Sequence, residues 1–203
     1  MGRLLILNGS PRAPRSHSKQ YAALFRSFWP EEVRAYTAIQ KDKTDLFHQL
    51  ADCSDLLLVF PLYADGLPVT LMKALEEIAP FLPADSLTVH VLVNCGFLEP
   101  EQNAVALDMV RLFCEQNGAA YGSTLCIGSG EAILTTPFVS LVKRKIQKLA
   151  RAIAAKRRVD LKVTMPLPKS WYIRASTSYW IRYGAQNGVL PEQMRTMTIE
   201  ENS

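Results

Sequence analysis

The feature that most constrains the fold is a regular alternation of short apolar runs with longer segments of helical periodicity. The run DLLLVFP, residues 55–61, is apolar at nearly every position, which is typical of a central parallel strand covered on both faces. The chain has five such runs, namely RLLILN (3–8), EVRAYTA (32–38), DLLLVFP, LTVHVLVN (87–94) and YGSTLCIG (121–128). Strict alternation with helices predicts an α/β protein with an open, doubly wound parallel sheet of five strands and helices on both faces.

The predicted helices have clear end signals. The first, which follows the strand at residues 3–8, must end by Pro30, because proline lacks the N–H group that a helix interior requires. A long helix is predicted from about Glu101 to Asn117, with Gly118 as its stop. A basic helix follows the fifth strand.

In a sheet of this kind, ligands bind outside the carboxyl ends of the strands, where the strand order reverses. The loops that follow the predicted strands are therefore the candidate binding loops. They span residues 9–18, 61–68, 94–100 and 127–136.

The first of these loops is rich in hydroxyl and guanidinium groups. Ser10, Ser16 and Ser18 supply hydroxyl donors, and Ser18 is the predicted N-cap of the first helix. Arg12 and Arg15 supply positive charge. The loop has neither the G-x-G-x-x-G pattern of dinucleotide folds nor the G-x-x-x-x-G-K-[ST] pattern of a P-loop. Because the start of a helix favours an anion, we expect the loop to hold a single terminal phosphate.

The second and third loops are suited to a flat ring. The segment PLYADGLP, residues 61–68, is a restrained backbone with Gly66 at its centre and Tyr63 available for stacking. Taken alone, it is equally typical of an ordinary turn, because proline and glycine are common turn residues. The segment NCGFLEP, residues 94–100, offers backbone donors, an amide and an aromatic side chain. A planar heterocycle with polar edges would fit between these two loops.

Three segments together resemble the flavin-binding loops of the flavodoxin-like NAD(P)H-dependent FMN reductases and related multimeric flavodoxin-type oxidoreductases. They are LILNGSPRAPRSHS, DLLLVFPLYADGLPVTLMKALEEI and VLVNCGFLEP, and the resemblance covers about residues 3–156. The middle segment is the most specific, because members typically show P-x-Y, here Pro61 and Tyr63, followed by L-K, here Met72 and Lys73. The resemblance implies a flavodoxin-like sheet with strand order 2-1-3-4-5.

The resemblance also assigns the site residues. It implies that the FMN phosphate is surrounded by Ser10, Arg12, Ser16, His17 and Ser18. It places along the isoalloxazine ring Pro61, Leu62, Tyr63 and Ala64, and at the polar edge of that ring Asn94, Cys95, Gly96 and Phe97. No side chain is assigned as a catalytic acid or base, since hydride transfer to bound flavin does not demand one.

The leading hypothesis is an FMN-dependent NAD(P)H oxidoreductase that transfers hydride from NADPH or NADH to FMN and then to a quinone, flavin, azo or nitroaromatic acceptor. The alternatives are a flavodoxin-type electron carrier that does not oxidise nicotinamide and a regulatory subunit that has lost FMN. Such carriers are usually strongly acidic, whereas this chain has a formal net charge of +4, so the charge favours the enzyme.

Composition excludes several other classes. The four cysteines form no C-x-x-C pair, so no metal site is expected and the thiols are predicted to be reduced, in a cytoplasmic protein. No signal peptide and no membrane span are predicted. The basic stretch at residues 141–162 is interpreted as the solvated face of an amphipathic helix, and no nucleic acid partner is expected.

The chain is predicted to divide into an FMN-binding domain at residues 1–159 and a C-terminal extension at residues 160–203. The extension contains a helical pattern with an aromatic side, formed by Tyr172, Tyr179, Trp180 and Tyr183. We expect that side to pack on the body of its own subunit or on a partner subunit, with an interfacial membrane helix as the minority alternative. The resemblance implies a homodimer or homotetramer.

Overall fold

A computed structural model of the chain describes residues 3–13, 15–83 and 86–195. The chain divides into two compact units, the first ending at Met165 and the second beginning at Pro166. Among the described helices, none is long and apolar enough to cross a membrane.

The first unit is built on one parallel sheet with the strand order β2-β1-β3-β4-β5-β6. Its strands are β1 (Arg3–Asn8), β2 (Arg34–Thr37), β3 (Cys53–Pro61), β4 (Thr88–Asn94), β5 (Ala120–Ile127) and β6 (Asp160–Val163). The strands predicted from the sequence are all present, and their predicted order is confirmed.

The sheet has a strand that the sequence analysis did not predict. β6 pairs in parallel with β5, and its inward residues Leu161 and Val163 are buried. The prediction of five strands is corrected to six, and residues 160–163 belong to the sheet rather than to the C-terminal extension. The physical reason is that alternate side chains of β6 complete the apolar layer at the edge of the sheet, next to β5.

Helices cover both faces of the sheet, as predicted. On one face α1 (His17–Phe28) contacts α5 (Val139–Ala154). The other face is covered by α2 (Thr44–Ala51), α3 (Val69–Ile78) and α4 (Ala104–Gln116), whose apolar residues share one core with the sheet. A short 3₁₀ helix at Pro100–Asn103 precedes α4, so the α-helix begins later than the predicted Glu101.

The central strand β3 shows why a continuous apolar run was required. Leu56, Leu58 and Phe60 belong to the core beneath α2, α3 and α4. Leu57 and Val59 alternate with them, are fully buried and face the α1 and α5 side. The prediction of a strand covered on both faces is therefore confirmed.

The second unit contains α6 (Lys169–Gln186), which confirms the helix predicted for the aromatic segment. The chain turns after the helix at Gly188, whose φ of +75° is the left-handed conformation that glycine adopts at helix ends. It then approaches the helix again, because a β-carbon on Gly184 would lie 2.8 Å from the sulfur of Met194.

Candidate functional site

A cleft of about 510 Å³ opens at the carboxyl ends of β1, β3 and β4, where the strand order reverses. A volume of this size is within the usual range for small-molecule sites. The predicted site residues that line it are Ser10, Arg12, Ser16, His17, Ser18, Pro61, Leu62, Tyr63, Asn94, Cys95 and Gly96. Ala64 and Phe97, which were also predicted, do not line it. The structure thus brings the three predicted loops to one cavity.

The first loop leaves β1 in a turn that its own polar groups stabilise. The N–H of Ser10 donates to Oδ1 of Asn8 at 3.0 Å, and the N–H of Arg12 donates to Oγ of Ser10 at 3.3 Å. Gly9 passes so close to α3 that a β-carbon there would lie 2.7 Å from Cδ2 of Leu71. These contacts hold the loop backbone at the end of β1, and the hydroxyl proton of Ser10 is left for another acceptor.

The N-terminus of α1 faces the same cleft. Ser16 is the N-cap, since its Oγ accepts a hydrogen bond from the N–H of Lys19 at 3.2 Å. The prediction of Ser18 as the N-cap is therefore wrong, because α1 begins earlier and Ser18 lies within its first turn. The first N–H groups of a helix have no acceptor inside it, so those of His17 and Ser18 are donors for an anion.

Ser18 connects the first loop region to the third loop. Its side chain is buried, and its hydroxyl donates to Oδ1 of Asn94 at 3.1 Å. This bond leaves the Nδ2 protons of Asn94 as donors. On the same helix, the buried hydroxyl of Tyr21 donates to the carbonyl of Gly130 at 2.5 Å. Helix α1 is therefore bonded to the last residue of β4 and to the loop that follows β5.

The second loop reverses direction between Tyr63 and Gly66, which exchange backbone hydrogen bonds of 3.2 and 3.0 Å. Ala64 and Asp65 between them have φ angles of +46° and +58°. Alanine rarely adopts this left-handed conformation, so the turn holds Ala64 under strain. The reversal carries Ala64 away from the cleft, whereas Tyr63 lines it.

The third loop contributes an exposed glycine and a buried thiol to the cleft. A β-carbon on Gly96 would meet no atom within 4 Å, so this part of the cleft wall is open. Cys95 accepts a hydrogen bond at Sγ from Nδ2 of Asn103 at 3.4 Å, and burial raises the pKa of its thiol. Cys95 therefore remains protonated and is not a nucleophile at neutral pH. Phe97 was predicted to close the edge of the ring, but its side chain is half exposed outside the cleft.

Arg15, which was predicted to supply positive charge to the first loop, also lines the cleft. Three further lining residues were not predicted: Lys19, Gln20 and Glu131. Lys19 and Gln20 line the cleft because α1 begins at His17, earlier than predicted. Correct assignment of Ser16 as the N-cap would have predicted them. Glu131 lies in the loop at residues 127–136, which the sequence marked as a binding loop without a motif to single out a residue. Arg12, Arg15 and Lys19 outnumber Glu131, so the cleft is net positive.

A second polar cluster lies near the amino-terminal ends of β3 and β4. Asp55 accepts hydrogen bonds from Nε2 of the buried His90 at 3.1 Å and from Nζ of Lys156 at 2.6 Å. The N–H of Ser123 donates to Nδ1 of His90 at 2.9 Å, which assigns the ring proton to Nε2. Burial opposes ionisation of Asp55, but hydrogen bonds from His90, Lys156 and Ser54 outweigh it and lower its pKa to about 2. His90 is buried, so this cluster lies inside the fold.

The chain resembles known proteins in its structure but not detectably in its sequence. No family model matches the sequence, and no curated protein matches it significantly. A Streptococcus pneumoniae flavodoxin superposes with a TM-score of 0.55 at 18% identity, over 75% of this chain and 99% of that chain. The chain has the flavodoxin-like fold.

Two reductases share the flavodoxin-like fold with this chain. An FMN-dependent NADH-azoreductase from Bacillus anthracis, in complex with FMN, gives a TM-score of 0.54 at 11% identity, over 76% of this chain and 100% of that chain. An NAD(P)H:quinone oxidoreductase from Methanothermobacter marburgensis gives 0.54 at 14% identity, over 76% and 98%. In the flavodoxin-like fold, ligands bind at the β1/β3 switch point, which is where the cleft lies.

Proposed function

We propose that this chain is an FMN-dependent NAD(P)H oxidoreductase. The observation that carries the proposal is the convergence of three loops, suited to a phosphate, a ring face and a ring edge, on one cleft at the β1/β3 switch point. The solved structures with the same fold include an FMN-dependent NADH-azoreductase and an NAD(P)H:quinone oxidoreductase, and these support the proposal.

The phosphate of FMN fits the donors at the start of α1. The backbone N–H groups of His17 and Ser18 and the hydroxyls of Ser10 and Ser16 line the cleft there, and three cations line it against the single carboxylate of Glu131. A phosphate monoester carries up to two negative charges, which the helix dipole and the neighbouring guanidinium groups would stabilise. The hydroxyl proton of Ser18 is already donated to Asn94, so in this arrangement the Ser18 side chain positions Asn94 and does not donate to the phosphate.

The ring fits the wall formed by the second and third loops. Leu62 and Tyr63 offer an apolar and an aromatic surface, and the N–H of Leu62 is held by the carbonyl of Asn94 at 2.8 Å. The side chain of Asn94 would supply polar contacts for the heteroatoms of an isoalloxazine edge. The cleft therefore offers suitable groups for both ends of the cofactor, namely donors for the phosphate and an apolar wall with a polar edge for the ring.

Bound FMN would accept hydride from a nicotinamide and donate it to a quinone, flavin, azo or nitroaromatic acceptor. The residues of the chain would bind the phosphate and orient the ring in the cleft. Cys95 contributes no thiolate, because burial raises its pKa. The cationic rim formed by Arg12, Arg15 and Lys19 would also attract the phosphates of NADPH or NADH.

The experiment that tests the proposal is anaerobic titration of the FMN-loaded chain. We expect the protein to quench FMN fluorescence, and NADPH or NADH to remove the absorbance of oxidised flavin. Absence of FMN binding would contradict both flavin hypotheses. Binding without bleaching by either nicotinamide would leave the second candidate, an electron carrier, which the match to a flavodoxin favours.

A pair of variants tests the phosphate end separately. Replacing Arg12 and Arg15 by glutamine should weaken FMN binding at least about tenfold but change riboflavin binding little, because riboflavin lacks the phosphate. The matched control replaces Arg26 and Lys41, which are exposed and do not line the cleft. Equal losses for FMN and riboflavin would show that the two arginines support the loop fold rather than the phosphate.

A further inference from the structure

The helices on the two faces of the sheet carry opposite charge. Helices α1 and α5, whose residues the structure describes in full, contain seven lysine and arginine residues and no aspartate or glutamate. On the other face, α2, α3 and α4 contain five carboxylates and two lysine or arginine residues. The first unit is therefore strongly polarised across its sheet.

The positive charge of α1 and α5 is exposed and unpaired. We call the cationic face the exposed set Lys19, Arg26, Lys143, Arg144, Lys148 and Arg151. Within residues 3–13, 15–83 and 86–195, none of these six side chains lies in an ion pair. On the opposite face, by contrast, three of the five carboxylates lie in ion pairs. Because charges without a nearby counter-charge act over a longer distance, the field of the cationic face extends into solvent.

The cationic face begins at the mouth of the cleft. Helices α1 and α5 follow β1 and β5, so both start at the carboxyl edge of the parallel sheet, where the cleft opens. Lys19 belongs to the first turn of α1 and also lines the cleft. The other five cations of the face do not line it. Their influence on a ligand of the cleft is therefore exerted at a distance.

We propose that the cationic face steers multiply charged anions toward the cleft and thereby favours NADPH over NADH as the reductant. The inference rests on the proposed function, which supplies these ligands. A phosphate monoester such as FMN carries up to two negative charges, and NADPH has one phosphate group more than NADH. Surface charge of one sign near a site can raise the association rate of an oppositely charged ligand about tenfold or more at low ionic strength. The five remote cations act on the association rate rather than on the bound complex.

Other partners fit the cationic face less well. Helices α1 and α5, both fully described, expose no aromatic side chain on which nucleic acid bases could stack. The large exposed apolar residues of the described chain include none from α1 or α5. A membrane surface would therefore find charge there without a side chain to insert, and peripheral attachment generally requires both.

The test is stopped-flow measurement of FMN binding to the full chain, freed of flavin, at ionic strengths between about 0.02 and 0.5 M. The variant carries Lys143→Glu and Arg144→Glu, which reverse two charges outside the cleft. We expect its association rate constant to fall at least about threefold at the lowest ionic strength and to approach that of the wild type at the highest. The dissociation rate constant should change less than about twofold.

The matched control carries Lys73→Glu and Arg111→Glu, on α3 and α4 of the opposite face. Both positions are exposed, neither lines the cleft, and the change of net charge is the same. Its association rate constant should fall less than half as much, because position as well as net charge decides the field at the cleft. Riboflavin, which lacks the phosphate, should bind all three proteins at one rate, and this also shows that the cleft is intact.

A second measurement uses the FMN-loaded chain and the rate of flavin bleaching at low nicotinamide concentration. At low ionic strength, NADPH should bleach the wild type faster than NADH does. The ratio of the two rate constants should fall in the variant with Lys143→Glu and Arg144→Glu, and also with added salt, because the more highly charged ligand responds more strongly to the field.

Several results would overturn the proposal. Equal FMN association rates in the wild type and the α5 variant would overturn it and leave the proposed function standing. Equal losses in the α5 variant and its control would do the same, since net charge alone would then decide. A ratio of NADPH to NADH rate constants that the α5 variant does not change would overturn the preference for NADPH. Absence of FMN binding would overturn both this proposal and the proposed function.

Discussion

At the scale of single residues, the serines at the start of α1 have separate roles. Ser16 caps the helix through the N–H of Lys19, and Ser18 bonds to Asn94. We expect Ser16→Ala to lower the free energy of unfolding by about 1 kcal/mol, because one N–H group of the first turn loses its acceptor. Urea denaturation measures this change.

The control for that variant is Ser27→Ala, on the same helix. The Ser27 hydroxyl is exposed and donates only to the carbonyl of Leu24 within its own turn. Its removal should change stability by less than about 0.5 kcal/mol. Equal losses in the two variants would show that the cap contributes nothing specific.

Asp55 makes the stability of the fold depend on pH in the acid range. Its pKa is lowered from 3.8 to about 2 in the folded chain. A carboxyl group with a lower pKa in the folded state stabilises the fold above pH 3.8, and that contribution is lost as the pH falls through about 2. Between about pH 5 and pH 1.5, the wild type should therefore lose about 2 kcal/mol more than Asp55→Asn.

Urea denaturation at a series of pH values measures the difference. Asp108→Asn, which changes an exposed ion pair with Arg111, should follow the wild type. Parallel curves for the wild type and Asp55→Asn would mean that the cluster with His90 and Lys156 does not lower the pKa of Asp55.

The sequence allowed the cleft position of a residue to be predicted where its polar group follows directly from the end of a strand. The hydroxyls in the loop after β1 and the amide at the end of β4 line the cleft, because a parallel sheet brings its strand ends together. Prediction failed for Ser18, because two serines of equal capping preference stand two positions apart. The contact that decides between them is Asn94, which is distant in sequence. Glu131 had no local signal at all.

At the scale of elements, the turn from Tyr63 to Gly66 places a residue other than glycine in the left-handed conformation. Ala64 has a φ of +46°, which its β-carbon makes unfavourable and which glycine would adopt without that cost. We expect Ala64→Gly to change the free energy of unfolding by between 0 and about +1 kcal/mol, because relief of strain is partly offset by greater freedom in the unfolded chain.

The matched variant at this position is Ala64→Val, which should destabilise by at least about 1 kcal/mol, since a β-branched residue is least compatible with left-handed backbone. Thermal and urea denaturation of both variants give the sign. The same destabilisation in both would show that the turn is not strained at Ala64.

Elements with strong periodicity were predicted well, and short edge elements were not. β3 was identified by a continuous apolar run, which is typical of a strand buried on both faces and of few other elements of that length. β6 has four residues, alternates charged with apolar side chains and follows a basic helix, so its sequence is equally typical of a solvated segment. What makes it a strand is its pairing with β5, which no local pattern reports.

At the scale of the whole molecule, the end of the sheet can be tested by truncation. A chain ending at Met165 retains β6 and should fold and bind FMN. A chain ending at Val159 loses Leu161, Val163 and Met165, all of which are buried. We expect it to be less stable by at least about 4 kcal/mol, from the apolar area no longer buried.

Circular dichroism during urea denaturation compares the two truncated chains directly. Equal stability would mean that β6 adds no net stabilisation to the sheet. Loss of folding in the chain ending at Met165 would mean instead that the second unit is required for the first to fold.

The hydrogen bond from Ser18 to Asn94 joins the start of α1 directly to the end of β4. We expect a ligand that restricts one of these ends to restrict the other as well, which would lower the entropy cost of binding at the second end. By reciprocity, a ring held at Asn94 must raise the affinity for phosphate by the same factor. Separate phosphate and ring fragments would therefore bind with positive cooperativity.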